Sequence, residues 1–376
     1  MSQTKRVLFT SHTANFQKFN RPFMKMLRGT LDAPYSNYNI GNCVVDYASA
    51  EEEKIFDADH SFKIDFARSP LAFTKHITAY REMKAILKNN HYDLIHTHTP
   101  VGSVITRLAA NKYRKQGIKV IYTAHGFHFY KGAPLKNWLL WYPVEKILAK
   151  KCDLLITIND EDFALAKRNF KTNVVKINGV GLDTNKFDSK LTAKERVALR
   201  KTLGIREKDY VIVFNGEFNP DKNHRFLLTS LLPLLKEEPN IKILLISKGS
   251  LLEDTKELSR KLGIEKQVIF TGYRQDVPDL LRIGDIYVSP SIREGLVVSV
   301  LEAIYCELPV LLFDNRGHRQ ILGKKTENLF HTEEELLKKT KSAFEKKHDY
   351  HVKFNEIFSL KSALESTKKI YEEYLK

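Results

Sequence analysis

Short apolar runs alternate with stretches whose hydrophobic residues recur at helical spacing through most of the chain, the pattern of βα units wound around parallel sheets. Strands are predicted at Arg6 to Thr10, Phe62 to Phe66, Asp93 to Thr97, Lys119 to Thr123, Asp153 to Ile158 and Asn173 to Ile177. Their Val, Ile, Leu and Phe content suits strands covered on both faces. Helical periodicity falls between them, at Leu71 to Lys88, Val101 to Lys115, Leu135 to Lys151 and Glu161 to Phe170. The alternation pauses at Asn178 to Leu191, where Gly179, Gly181 and a polar run read as a linker. It then resumes, with strands expected at Tyr210 to Asn215, Lys242 to Ser247, Gln267 to Thr271, Asp285 to Ser289 and Pro309 to Phe313. Helices are expected near Ala193 to Leu203, Asn223 to Lys236, Leu251 to Leu262, Val277 to Ile283 and Leu296 to Cys306. The last 45 residues, from Thr332, read as charged helices. The fold expected is α/β with two Rossmann-like, doubly wound domains: 1–188, 189–355, and a final helix at 356–376 packing back toward the first domain.

A length of 376 residues accommodates two such domains. Cys43, Cys152 and Cys306 form no CxxC pair, which argues against a disulfide framework or a structural zinc site and favours a reducing cytoplasm. No run of about 20 apolar residues appears, and Met1 to His12 lacks the pattern of a secretory signal. The net charge of +16 is uneven, +12 over residues 1–190 and +4 over the remainder. Such a field attracts anions, whether nucleic acid, an anionic membrane or a phosphorylated substrate.

The strongest chemical signal is DIYVSPSIREGLVVSVLEAIYCELPV, Asp285 to Val310. An apolar strand ends in Ser289-Pro290-Ser291, and Glu294-Gly295 is expected to open a helix carrying Glu302 eight residues on. A regular helix of that length spans about 12 Å, the scale of a sugar diphosphate, and its start offers unpaired N–H groups to a phosphate. Two further strand-to-helix junctions share the same sheet: FNGEFNPDKN, with the Gly216 turn and with Lys222 and Asn223 at the helix start, and GYRQDVPDLL from Gly272. Three junctions at the carboxyl ends of one sheet mark where open α/β sheets bind ligands.

This run resembles the C-terminal domain of the retaining GT-B glycosyltransferases of family 4, whose E-x7-E element is matched by Glu294 and Glu302. In the first half, YDLIHTHTPVGSVITRLAA, YTAHGFHFYKG, DLLITINDEDFALAK and NGVGLDTNKF resemble the branch that makes capsular and exopolysaccharides. The resemblance implies two domains facing a central cleft and a nucleoside diphosphate sugar donor, UDP-linked, with no cofactor and no metal. It implies that Glu294 binds hydroxyls of the donor hexose and Glu302 the donor ribose. The backbone at Gly295 and Leu296, with Lys222, would hold the diphosphate, Tyr273, Arg274 and Gln275 would border the base, and His125 would face the donor sugar across the cleft. Gly216, Asn223 and His12 complete the expected substrate-binding set. The acceptor implied is a lipid-linked saccharide, reached from the cytoplasm at the inner face of the cell membrane.

The chain departs from the family in places. Glu217 stands where many relatives carry arginine, so a second phosphate cation must come from elsewhere, with Arg319 or Lys248 as candidates. The loop Ser11 to Asn15 lacks the paired glycines of the broader family, and Asp32 to Val45 has no evident counterpart. Asp57-Ala58-Asp59 imitates a metal-binding DxD triplet without a nucleotide pocket, and His96, His98, His125 and His128 read as polar lining. Two aromatic-basic segments, Phe16 to Arg28 and Trp138 to Lys151, suit an anionic lipid surface. The rival readings are another GT-B enzyme, such as an epimerase or phosphorylase, and a non-catalytic polyanion-binding protein. No nucleic-acid module is recognisable.

Overall fold

In a computed structural model, residues 4–50, 57–67, 69, 71–188 and 190–376 are described. They form two compact units: the first comprises Met1–Gly181 with Leu360–Lys376, the second Leu182–Ser359. The second unit thus begins earlier than residue 189, because Leu182 and Phe187 pack into its core.

The first unit holds a seven-stranded parallel sheet of β1 (Lys5–Thr10), β2 (Cys43–Ser49), β3 (His60–Lys63), β4 (Leu94–His98), β5 (Lys119–Ala124), β6 (Leu154–Thr157) and β7 (Asn173–Lys176). Their order is β3-β2-β1-β4-β5-β6-β7. The second holds β8 (Tyr210–Asn215), β9 (Ile241–Ile246), β10 (Val268–Gly272), β11 (Ile286–Ser289), β12 (Val310–Phe313) and β13 (Leu329–Phe330). Their order is β10-β9-β8-β11-β12-β13. In each sheet the winding direction reverses, between β1 and β4 and between β8 and β11. The crevice outside the strands' carboxyl ends at such a switch point is where these sheets take ligands.

Two strands escape the apolar pattern. In β2, CVVDYAS, Asp46 interrupts the run, yet it is fully buried. Arg6 (2.7 Å), the Tyr92 hydroxyl (2.7 Å) and His60 Nδ1 (2.9 Å) surround its carboxylate, so the charge is matched inside the fold. β13 has only two residues and is pinned by Asn328, whose amide donates to the carbonyls of Val310 (2.8 Å) and Tyr350 (2.7 Å). β3 lies two residues before its expected start and β4 ends one residue later, which brings His98 into the sheet.

The final helix, Leu360–Tyr374, buries Leu360, Ala363, Leu364, Thr367 and Tyr371, a stripe at helical spacing. It belongs to the first unit: Tyr38 donates to Glu365 (2.7 Å) and the Tyr371 hydroxyl meets His96 Nδ1 at 2.7 Å. All three cysteines are free.

Candidate active site

In the second unit the candidates gather around the β8/β11 switch point. β8 ends at Asn215, and Gly216 follows with its Cα so close to the Phe214 ring that a Cβ would sit 2.6 Å from it. The next residues lie against the loop after β9, with Phe218 N donating to Lys248 O (3.1 Å) and Leu251 N to Phe218 O (2.9 Å). Asn219 caps a short 3-10 turn, Pro220–Lys222, through Lys222 N. Asn223 then adopts the left-handed conformation (φ 53°), which asparagine tolerates, before the helix His224–Glu237.

β11 leads into an extended loop, Pro290 to Val297, and here the expectation needs correction. Glu294, Gly295 and Leu296 lie outside the helix, which spans Val298–Tyr305 and carries Glu302 at its centre. The physical reason lies in the neighbours. The Glu294 carbonyl accepts from Arg316 Nε (3.2 Å), and Gly317 packs so tightly that a Cβ there would come within 2.8 Å of Glu294 Cβ. The helix also starts without a side-chain cap at Val297, leaving first-turn N–H groups for water or a ligand. The two carboxylates are therefore separated by half an extended loop and half a helix.

Lys222 Nζ and Glu294 Oε1 form an ion pair that joins the β8 and β11 loops. A second pair, Arg293 with Asp221, reinforces the junction, and Ile292 N donates to Asp221 O (2.9 Å). Glu302 Oε2 accepts from Asn215 Nδ2 at 3.3 Å. Asn215 was not selected from sequence, since as the last residue of a strand it carries no local signal. Tyr287 supports it by donating to the Asn215 carbonyl (3.3 Å), with the Ser299 hydroxyl 3.1 Å from its phenol oxygen. Its phenol is held protonated, chiefly by burial.

Behind the Glu294 loop lies a buried polar group that the sequence did not reveal. Asn315 donates to Ser291 O (2.7 Å), while His318 Nδ1 faces the Phe313 carbonyl (2.6 Å) and Nε2 faces Ser289 Oγ (3.3 Å). Burial pushes the His318 pKa down to about 4, and the carboxylate of Glu294 opposes that shift. Asn315, held against His318 (2.8 Å), thus anchors the loop that carries Glu294 at Ser291.

The proposed second cations are otherwise engaged. Arg319 pairs with Asp314, and Lys248 lies over the exposed Tyr273 ring (5.6 Å). Arg274 is held by Asp276, and Gln275 sits between them in sequence in the same loop after β10.

The first unit has its own polar cluster at the β1/β4 switch point. His12 N donates to Thr99 Oγ1 (3.0 Å), and Gly102 is packed against both, a Cβ there lying 3.1 Å from His12 N. His98 Nδ1 meets His125 Nε2 at 3.1 Å, and Phe16 places its ring edge-on to His125, 4.8 Å between centroids. His98 Nε2 is buried with no hydrogen-bond partner. An orphaned N–H is rarer than an orphaned lone pair, so the network assigns the His98 proton to Nδ1, donating to His125. His125 then carries its own proton on Nδ1. Burial lowers all three imidazoles, His125 to about 4, His96 to about 3, and His98 well below its usual value. His128 is not part of this group and stacks on Trp141 (4.8 Å). Asp57 and Asp59 are bound to Arg21 (2.5 Å) and Arg28 (2.9 Å), a structural role for the DxD-like triplet.

Comparison with known proteins matches residues 195–357 to the family described as Glycosyl transferases group 1 and residues 43–181 to Glycosyltransferase Family 4. EpsD of Bacillus subtilis (strain 168), whose own description as a glycosyltransferase is provisional, is 38% identical over 322 residues, covering 85% of this chain and 81% of EpsD. An Escherichia coli UDP-Gal:alpha-D-GlcNAc-diphosphoundecaprenol alpha-1,3-galactosyltransferase is 27% identical over 257 residues, 65% of each chain. Among solved structures, Anabaena HepE in complex with UDP and glucose aligns with a TM-score of 0.76 at 16% identity, covering 98% of this chain and 100% of HepE. Sucrose-phosphate synthase from Thermosynechococcus elongatus gives 0.75 at 14%, covering 98% of each. At those identities the likeness concerns the fold. Two glycosyltransferase domains in tandem, the kinship with EpsD and the paired parallel sheets place this chain among the GT-B glycosyltransferases, in their exopolysaccharide-associated branch.

Proposed function

We propose that this chain is a retaining hexosyltransferase that moves a sugar from a UDP-linked donor to a lipid-linked saccharide in capsule or exopolysaccharide synthesis. The observation that carries this reading is the convergence of Glu294, Glu302, Lys222 and Asn215 at the carboxyl ends of β8 and β11. In it, Glu302 accepts from ribose hydroxyls and Glu294 from hexose hydroxyls. Lys222 and the N–H groups at the start of Val298–Tyr305 carry the charge of the departing diphosphate, a preorganised electrostatic role. Tyr273, Arg274 and Gln275 border the base. The anomeric C–O bond to the diphosphate breaks, the acceptor oxygen bonds to the same carbon on the same face, and the leaving phosphate oxygen takes the acceptor's proton. His125, presenting an Nδ1–H, is the first unit's polar contact to substrate. The name of the Escherichia coli relative, with its UDP-sugar and diphosphoundecaprenol acceptor, supports the donor and acceptor classes. Work at a lipid-linked acceptor places the protein in the cytoplasm, peripheral to the inner membrane face; among the described residues no helix is long and apolar enough to cross a membrane.

The test is a panel of nucleoside diphosphate sugars, first by thermal shift and then by release of nucleoside diphosphate with membrane lipid extract, without acceptor, and with inorganic phosphate. Acceptor-dependent release from a UDP-sugar, with retention of anomeric configuration in the product, is the expected result. Turnover without acceptor, or only with phosphate, would overturn it in favour of an epimerase or phosphorylase.

A further inference from the structure

Three helices on one side of the first unit, Phe73–Asn89, Pro100–Arg114 and Leu135–Leu148, enclose an apolar groove of about 390 Å³. Its walls are almost wholly hydrocarbon and aromatic, with Tyr80, Ile105 and Trp141 at its sides. Phe73 (67%), Ile77, Leu108 and Leu140 line it and stand exposed, and the helix Leu135–Leu148 exposes Leu135 (72%), Leu139 (70%) and Ile147 as well. Monomeric soluble proteins seldom expose many large apolar side chains together, and where they do these mark protein or membrane contacts.

Charge separates these possibilities. The same three helices carry nine Lys and Arg against two carboxylates, Glu82 and Glu145; Lys75, Arg107 and Arg114 are paired with Asp65, Glu145 and Asp153, and the other six are Arg81, Lys84, Lys88, Lys112, Lys136 and Lys146. Both carboxylates are already engaged. Glu145 is buried against Arg107 (2.8 Å), and Glu82 accepts from Asp65 N (2.8 Å). An apolar centre within a basic surround is complementary to a bilayer of anionic lipid, where leucines enter the acyl boundary and lysines meet phosphates. The other aromatic-basic segment expected to serve this role has most of its cations tied to carboxylates. In the helix Gln17–Arg28, Arg21, Lys25 and Arg28 are paired with Asp57, Asp32 and Asp59, and Phe23 is buried.

We propose that this three-helix face docks on anionic bilayers, with the groove receiving a hydrocarbon chain. It rests on the proposed function only in that a lipid-linked acceptor gives the docking its use. The experiment is co-sedimentation of the full chain with vesicles of phosphatidylcholine alone and with phosphatidylglycerol at a third of the lipid. Binding is expected only to the anionic vesicles, falling as salt rises. The triple variant L135S/L139S/I147S should lose at least about tenfold in vesicle affinity, and K136Q/K146Q about fivefold per charge. R21Q/R28Q should bind as the parent does. Equal binding by the leucine variant, or weakened binding by R21Q/R28Q alone, would overturn the assignment. So would a concentration-dependent dimer that shields Leu139 from labelling in the L139C variant. UDP binding, measured on every variant, verifies folding. Vesicle binding without nucleotide-sugar turnover would defeat the transferase reading and leave the docking face standing, whereas turnover without vesicle binding would do the reverse.

Discussion

Replacing Glu302 by alanine tests the site at its least redundant point. Glu302 sits half-buried on Val298–Tyr305 and accepts from Asn215 Nδ2 at a long 3.3 Å. Losing that bond removes about 0.5–1 kcal/mol of stability, partly offset by alanine's better helix propensity. Melting should therefore move by only a few degrees. A hydrogen bond from ribose to an ionised carboxylate is worth more, about 1.5–3 kcal/mol, or about 10- to 150-fold in Kd. Isothermal titration of UDP into parent and E302A measures it directly. A second ligand assigns the contact: 2′-deoxy-UDP and 3′-deoxy-UDP should each be compared in both proteins. The analogue missing the bonded hydroxyl should bind the parent more weakly and E302A no more weakly than UDP does, a coupling read from the double cycle. A UDP affinity within about threefold of the parent in a variant of unchanged melting temperature would refute the ribose role. Strict additivity for both analogues would refute it equally.

Further outcomes follow from the same geometry. E294Q, which keeps shape but weakens the hold on Lys222 and on the hexose, should lower turnover about 100-fold while UDP affinity changes less than about fivefold; normal turnover would remove Glu294 from the site. Arg107 is buried with its guanidinium on Glu145, so R107L should destabilise the first unit by about 3–5 kcal/mol in urea unfolding, since a buried carboxylate is left unpaired. His96, His125, His224 and His318 have pKa values lowered by burial to about 3, 4, 4 and 4. The unfolded chain therefore binds more protons than the folded one below about pH 6.5, and the stability these neutral imidazoles contribute is intact above that pH and lost progressively toward pH 4. Melting temperature should fall across that window at a slope of more than one proton. H318Q should reduce the slope, and a flat profile would contradict the buried neutral assignment.

Much of this protein was written in its local pattern. Doubly buried strands must be apolar throughout, and the helices between them must cover two sheet faces, so the alternation itself specified two parallel α/β units. That Lys222, Glu294 and Glu302 gather at one end of the second sheet was equally legible, because strand, glycine turn and helix start recur there. Tertiary structure decided what depends on distant partners. Asp46 breaks the pattern of β2 and is tolerated only because Arg6 and His60 from neighbouring strands and Tyr92 from the loop before β4 converge on it. Glu294 lies in an extended loop, not a helix, because Arg316 and Gly317, more than twenty residues on, fix its backbone. Asn215 and His318 acquire their roles from where the sheet brings them. The two aromatic-basic segments look alike as sequence. Only folding pairs the cations of Gln17–Arg28 with Asp57, Asp32 and Asp59 while leaving Leu135, Leu139 and Ile147 in solvent, because ion pairs and burial are set by contacts that no local spacing records.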